Sequence, residues 1–126
     1  MVPANLRYTK DHEWVRIEGD TATIGVTAFA AEQLGDVVFV ELPAVGRELE
    51  QHATFGVVES VKAVSDLFAP ISGAVTAVNG ALGQEPELVN SDPYGAGWMI
   101  TVRPAQASHL EELLDPEAYE RLIAAG

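Results

Sequence analysis

The sequence predicts a mainly β, α+β domain, in which short strands pack as a sandwich or flattened barrel with a short internal helix and C-terminal helices. Three observations carry this prediction. Short runs rich in Val, Ile, Thr and aromatic residues recur along the chain, each bounded by Gly, Pro, Asn or Ser. Helical spacing of apolar residues is confined to a segment near residue 30 and to the end of the chain. With 126 residues, 48% of them hydrophobic, the chain suits one modest core in a single domain spanning 1–126.

Taken in order, residues 12–18 and 21–26 read as two strands joined by the Glu18-Gly19-Asp20 turn. Ala22, Ile24 and Val26 fall on one face of the second strand. Thr27 is an N-cap for a helix over 28–34, which stops at Gly35 in the C′ position. Residues 37–42 are apolar on both faces except at Glu41, which predicts a strand held between two layers rather than half in water. Pro43 and Gly46 end it.

Residues 54–61 and 63–69 read as two strands with Lys62 between them. Pro70 closes the second, Ser72-Gly73 turns, and 73–78 resumes strand up to an Asn79-Gly80 turn. Residues 81–97 are turn-rich and contain Asn90-Ser91-Asp92-Pro93-Tyr94-Gly95, which reads as an ordered functional loop or packed Ω-loop. A last strand covers 98–102 and ends at Arg103-Pro104. From Ser108 the pattern turns helical, with Leu110, Leu113 and Leu114 on one face. A second helix follows Pro116, with Asp115 as its cap and Tyr119, Leu122 and Ile123 on one face. The hairpin core is thus about 37–78, and a helical cap covers about 107–125.

Composition narrows the chemistry. Net charge is −12, from 19 acids against seven Lys and Arg. Such a field repels nucleic acid and anionic membrane and suits docking to basic patches on protein partners. No apolar run approaches the ~20 residues needed to cross a bilayer, and the start of the chain has no apolar signal core. A cytoplasmic protein, monomeric between docking events, is expected. There is no cysteine, so disulfides, thiolate metal sites and thiol nucleophiles are excluded. Any sulfur redox chemistry must come from an attached group. His12, His52 and His109 are far apart and lack ligand spacing, so no metal site is expected.

Only two lysines occur, Lys10 and Lys62. The second sits in Gly56-Val57-Val58-Glu59-Ser60-Val61-Lys62-Ala63-Val64-Ser65-Asp66, at a short reversal between two apolar strands. Its neighbours are small or aliphatic, and a type I turn accepts them without Gly or Asn. The lysine is therefore rigid at its base, exposed at its tip and open to a modifying enzyme. A Schiff-base enzyme built on Lys62 is disfavoured, because it needs a desolvated lysine in a pocket with an acid/base partner.

Glu59-Ser60-Val61-Lys62-Ala63, followed by Gly73 in Ala69-Pro70-Ile71-Ser72-Gly73, resembles the attachment hairpin of lipoyl domains. Biotin carriers share the hairpin but usually flank the lysine with methionine, where this chain has Val61 and Ala63. The resemblance narrows to the glycine cleavage H-protein family. Its hallmarks are Tyr8-Thr9-Lys10-Asp11-His12-Glu13-Trp14-Val15, Ala22-Thr23-Ile24-Gly25-Val26-Thr27, Leu34-Gly35-Asp36-Val37-Val38-Phe39-Val40-Glu41-Leu42-Pro43 and Val89-Asn90-Ser91-Asp92-Pro93-Tyr94-Gly95. Together with the last strand they run from about residue 7 to 102.

The resemblance implies a non-catalytic carrier with lipoic acid amide-linked to Lys62, which removes one positive charge and takes the formal charge from −12 to −13. It implies three stations. A PLP-dependent glycine decarboxylase loads an aminomethyl group, a tetrahydrofolate-dependent aminomethyltransferase removes the one-carbon unit, and dihydrolipoamide dehydrogenase reoxidises the dithiol. Attachment implies a lipoate ligase, or an octanoyltransferase with lipoyl synthase. Glu13 and Asp66 match positions with which the family contacts the loaded arm, where a carboxylate holds the cargo's ammonium by a charge-assisted hydrogen bond. Asp11 stands where some members have serine. A lipoyl relay of the same type serving lipoate transfer or another pathway is the alternative.

Overall fold

The computed structural model describes residues 2–125. The two ends of the expected 1–126 domain, Met1 and Gly126, lie outside the described residues. Among the described residues, nine strands form two antiparallel sheets. They are β1 (Arg7–Tyr8), β2 (Glu13–Glu18), β3 (Thr21–Val26), β4 (Val37–Glu41), β5 (Glu48–Leu49), β6 (Thr54–Ser60), β7 (Val64–Phe68), β8 (Gly73–Val78) and β9 (Ile100–Pro104). One sheet has the order β1-β2-β3-β9-β8-β5 and the other β4-β6-β7. Neither closes on itself, so the architecture is a sandwich rather than a barrel.

Helix α1 (Ala28–Leu34) starts and stops where the turn chemistry requires. The Thr27 hydroxyl accepts from the Ala30 amide, and the Gly35 amide returns to the Ala31 carbonyl. Gly35 has φ 79°, a region open to glycine at no steric cost. The 81–97 segment is ordered: a 3₁₀ turn at Gly80–Gly83 is followed by α2 (Leu88–Ser91). At the C-terminal end, α3 (Ala107–Glu111) precedes α4 (Pro116–Ala125), and Asp115 caps the latter through its carboxylate and the Ala118 amide at 2.8 Å.

The main core lies between the sheets, around Val15, Ile24, Phe55, Val58, Ile71 and Ile100. A smaller cluster of Leu6, Tyr8, Trp14 and Tyr119 packs on the outer side of β2. Strand β2 is therefore buried on both faces where it begins, with Trp14 and Val15 pointing to opposite sides and both 0% exposed. Trp14 lies over Gly25, its partner in the ladder, where a Cβ would come within 2.7 Å of the ring. Its indole N–H donates to the Pro93 carbonyl at 2.9 Å, which ties the turn-rich loop to the sheet.

Three expectations are corrected. Residues 37–42 are not held between two layers: Val38 is 54% and Phe39 47% exposed. The ladder between β4 and β6 shifts register between Val37 and Phe39, and the bulge turns two successive side chains outward. Strands β1 and β5, each of two residues, were not expected, and they are defined by pairing with β2 and β8. The last strand begins at Ile100, later than predicted, and takes in Arg103 before ending at Pro104.

Candidate functional site

Lys62 stands exposed at the tip of the hairpin between β6 and β7. The tip is held from below. Ser60 and Ala63 close the ladder, with the Ser60 amide donating to the Ala63 carbonyl at 2.8 Å. The Ser60 hydroxyl oxygen accepts from the amides of Lys62 at 3.3 Å and Ala63 at 3.1 Å, the hydroxyl-capped turn that serine favours. The Val61 amide donates to the Asp36 carbonyl at 3.0 Å, which anchors the tip to the segment between α1 and β4. Among the described residues, Nζ of Lys62 has no hydrogen-bond or ion-pair partner.

Beside the hairpin runs a groove of about 650 Å³, walled on one side by residues 63–67 and on others by the start of β2, α1 and α4. Val26, Phe29, Leu34 and Ile123 give it apolar walls, and Glu13 and Asp66 give it acids. Lys62 immediately precedes this wall in the chain.

Glu13 is not a surface acid. It is 2% exposed and bridges the two sheets. The Thr9 hydroxyl donates to its Oε1 at 2.7 Å, and the Phe68 amide of β7 donates to its Oε2 at 3.3 Å. Burial pushes its pKa up to about 8, against the pull of those two hydrogen bonds, with the Asp11 charge adding a smaller push. Burial thus favours the protonated carboxyl at neutral pH. Asp66 lines the same groove but is exposed, on a strand edge facing water. The structure thus brings Glu13 and Asp66 to one groove, the first buried and the second exposed, and no hydrogen bond or ion pair joins either to Lys62 among the described residues.

Several supporting residues lay outside the sequence expectations. Thr9 sits in a motif whose acid was singled out, yet its hydroxyl organises the turn: it also accepts from the Asp11 and Glu13 amides, each at 3.2 Å. His12 has φ 70°, a left-handed conformation uncommon outside glycine. It is held there by Nδ1 against the Tyr119 hydroxyl at 2.8 Å and by ring contact with Phe29. Burial keeps His12 below its ordinary pKa. Only the left-handed tolerance of histidine hinted at this from sequence. A second cavity of about 160 Å³ lies on the other side of Glu13 and shares Lys10, Asp11 and Glu13 with the groove.

The fold and site together are those of a β-sandwich protein that presents an exposed lysine on a hairpin tip, beside a groove with apolar walls and a buried carboxyl. Known proteins make the class specific. Residues 6–125 match the family described as glycine cleavage H-protein. The chain is 61% identical over 122 residues to a probable glycine cleavage system H protein of Haloarcula marismortui, covering 97% of this chain and 96% of that one. It is 55% identical over 121 residues to the glycine cleavage system H protein of Bacteroides thetaiotaomicron, covering 96% of each. The crystal structure of a glycine cleavage system H protein from Mycobacterium marinum superposes with a TM-score of 0.90 at 42% identity, covering 98% of this chain and 99% of that one. The chain belongs to the glycine cleavage H-protein family and is a lipoyl-bearing carrier of the glycine cleavage system.

Proposed function

We propose that Lys62 carries the lipoyl group by an amide at Nζ, and that the groove holding Glu13 and Asp66 receives the loaded arm. The observation that supports this is Lys62 itself, exposed and unpaired at a tip whose backbone is fixed by Ser60 and Asp36. The groove fits such a group: apolar walls suit an aliphatic chain, and a carboxyl at the inner end suits a cationic cargo. When bound, a lipoyl group supplies the sulfur pair that accepts the one-carbon cargo and the electrons of the cycle.

The chain's own residues bind and protect. Val26, Phe29 and Leu34 keep water from the cargo's resting place. Glu13 holds a proton while the groove is empty, and an ammonium brought beside it favours the ionised form. The carboxyl then gives up its proton to solvent through the open groove and accepts a charge-assisted hydrogen bond from the cation. Asp66 supplies a second negative charge at the open end. On this reading the whole chain is one carrier unit that takes no catalytic step itself. It works in the cytoplasm as a monomer, meeting in turn a PLP-dependent decarboxylase, a tetrahydrofolate-dependent aminomethyltransferase and dihydrolipoamide dehydrogenase, after modification by a lipoate ligase or by an octanoyltransferase and lipoyl synthase. Tethering makes each encounter effectively intramolecular.

The face these enzymes meet surrounds the lysine. Phe39, Glu59 and Val64 are neighbours across the three strands, and Glu41, Val57 and Asp66, two residues on, form the next row on the same face. Phe39 and Val64 are exposed, at 47% and 70%. A face on which Phe39 and Val64 flank Glu59, and Glu41 and Asp66 flank Val57, suits a partner surface that is part apolar and part basic.

The test is mass spectrometry after incubation with lipoate, ATP and a lipoate ligase. One lipoyl increment on the peptide containing Lys62 is expected, and none on Lys62→Arg. That variant should keep its stability to within about 0.5 kcal/mol, because the position is exposed and packs little. Acylation at Lys10, or none anywhere while the ligase modifies a control lipoyl domain, would refute the reading.

A further inference from the structure

The geometry points to Asn90 as a positioning residue that presents Lys62 to the enzymes acting on it, an inference that rests on Lys62 as the attachment point. Asn90 lies on α2, far along the chain from the hairpin, and its amide group brackets the segment beneath the hairpin tip. Its Nδ2 donates to the Gly35 carbonyl at 2.8 Å and, at 3.4 Å, to the Ala31 carbonyl. Its Oδ1 accepts from the Val37 amide at 2.9 Å. One side chain therefore satisfies a carbonyl at the end of α1 and the first amide of β4, groups left open where the chain leaves the helix.

Between these two grips lies Asp36, whose carbonyl accepts the Val61 amide at 3.0 Å. Gly35, the other gripped residue, lies beneath the lysine stem, where a Cβ placed on it would come within 3.2 Å of Lys62 Cε. The stem of Lys62 thus runs over a glycine held in place by Asn90, and the residue before the lysine bonds to the carbonyl next to that glycine. No other side chain among the described residues hydrogen-bonds to the backbone of residues 35–37. Asn90 supplies the fixed floor on which the tip rests, and its loss frees the 35–37 segment and with it the Val61 anchor.

The experiment compares wild type, Asn90→Ala and Asn90→Asp. The aspartate keeps the volume and the bond from Val37 but loses the donor to Gly35. Two readouts are taken on the unmodified protein: amide hydrogen exchange resolved at Val61, and the kinetics of Lys62 acylation by a lipoate ligase. Expected are exchange at Val61 faster by about tenfold, with the β2–β3 ladder unchanged, and an acylation kcat/KM lower by about tenfold, carried mainly by KM. A purely structural role would raise exchange across β2, β3 and β9 alike and leave the ratio of Val61 to those strands where it was. Unchanged local protection of Val61 in either folded variant overturns the inference. Should the alanine variant fail to fold, the aspartate variant decides alone; global unfolding of both assigns Asn90 to stability and overturns it as well. Because Val61 exchange is read without acylation, a failure of Lys62 to be modified in wild type would count against the attachment reading and be seen separately.

Discussion

Glu13 is a carboxyl that accepts one hydrogen bond at each oxygen and is otherwise closed off from water. Two neutral donors do not offset the loss of hydration for a full charge, so burial wins and the pKa rises to about 8 from 4.5. The consequence for stability has a definite sign. Between those two values the folded state binds more protons than the unfolded state, so stability falls as pH rises through that window and is flat on either side. Glu13→Gln removes the titration while keeping one acceptor for Phe68 and one polar group for Thr9. It should match wild type near pH 4 and exceed it by roughly 1–3 kcal/mol above pH ~8, read from thermal melts across pH. The same variant should lose its aminomethyl cargo faster, because a neutral amide holds an ammonium less well than a carboxylate. Equal melts at both ends of the pH range would show that Glu13 is hydrated in solution.

At the scale of elements, α4 is what holds the turn before β2. Tyr119 stacks on Tyr8 with ring centroids 4.6 Å apart, and its hydroxyl lies 2.8 Å from both His12 Nδ1 and the Thr27 hydroxyl. Thr27 caps α1 with the same oxygen, so one phenol joins the C-terminal helix, the N-cap of α1 and the left-handed His12. Burial pushes its pKa up to about 12, keeping it a donor at any ordinary pH. Tyr119→Phe keeps the stacking and removes both bonds. A loss of about 1–3 kcal/mol is expected in denaturant melts, with hydrogen exchange rising first in the residues 9–13 turn. A loss spread evenly over both sheets would mean that the helix only adds bulk. The bulge in β4 works in the other direction, since it exposes Val38 and Phe39 at a cost in burial and places apolar surface on the sheet whose hairpin presents Lys62.

The whole molecule carries −12, and the acids beside Lys62 share in that field. Long-range attraction to a basic partner is screened over ~8 Å at physiological ionic strength, whereas contact between apolar groups is not. The KM of a partner enzyme for the carrier should therefore rise severalfold between about 50 and 300 mM salt. Phe39→Ser should raise KM by a similar factor at every salt concentration and leave the melting temperature within a few degrees. Steady-state kinetics over a salt series separates the two contributions. A KM indifferent to salt would place docking elsewhere than on the face that holds these acids. No helix among the described residues is long and apolar enough to cross a membrane.

Local chemistry was enough to set the bounds of α1 and β3 and to place the Asp115 cap and, to within a residue at the strand ends, the hairpin that presents Lys62. Each depends on residues within a turn or two of one another: Thr27 with Ala30, Gly35 with Ala31, Ser60 with Ala63. The acids of the groove were legible as types at family positions, but not in their burial. Glu13 is buried because β7 closes over it, and its bond to Phe68 spans 55 residues of chain. Asp66, expected in the same role, stays exposed because its strand meets water on that side. Strands β1 and β5 are too short to show a period, and become strands only when β2 and β8 lie beside them. The outward turn of Val38 and Phe39 follows from a register shift against β6, which an alternation pattern cannot register. Asn90 reads as one polar residue in a turn-rich stretch until folding brings it 53 residues back to Val37. Periodicity, capping and turn preference are short-range and lie open in the sequence; desolvation and side-chain grips on distant backbone exist only once the sheets have packed.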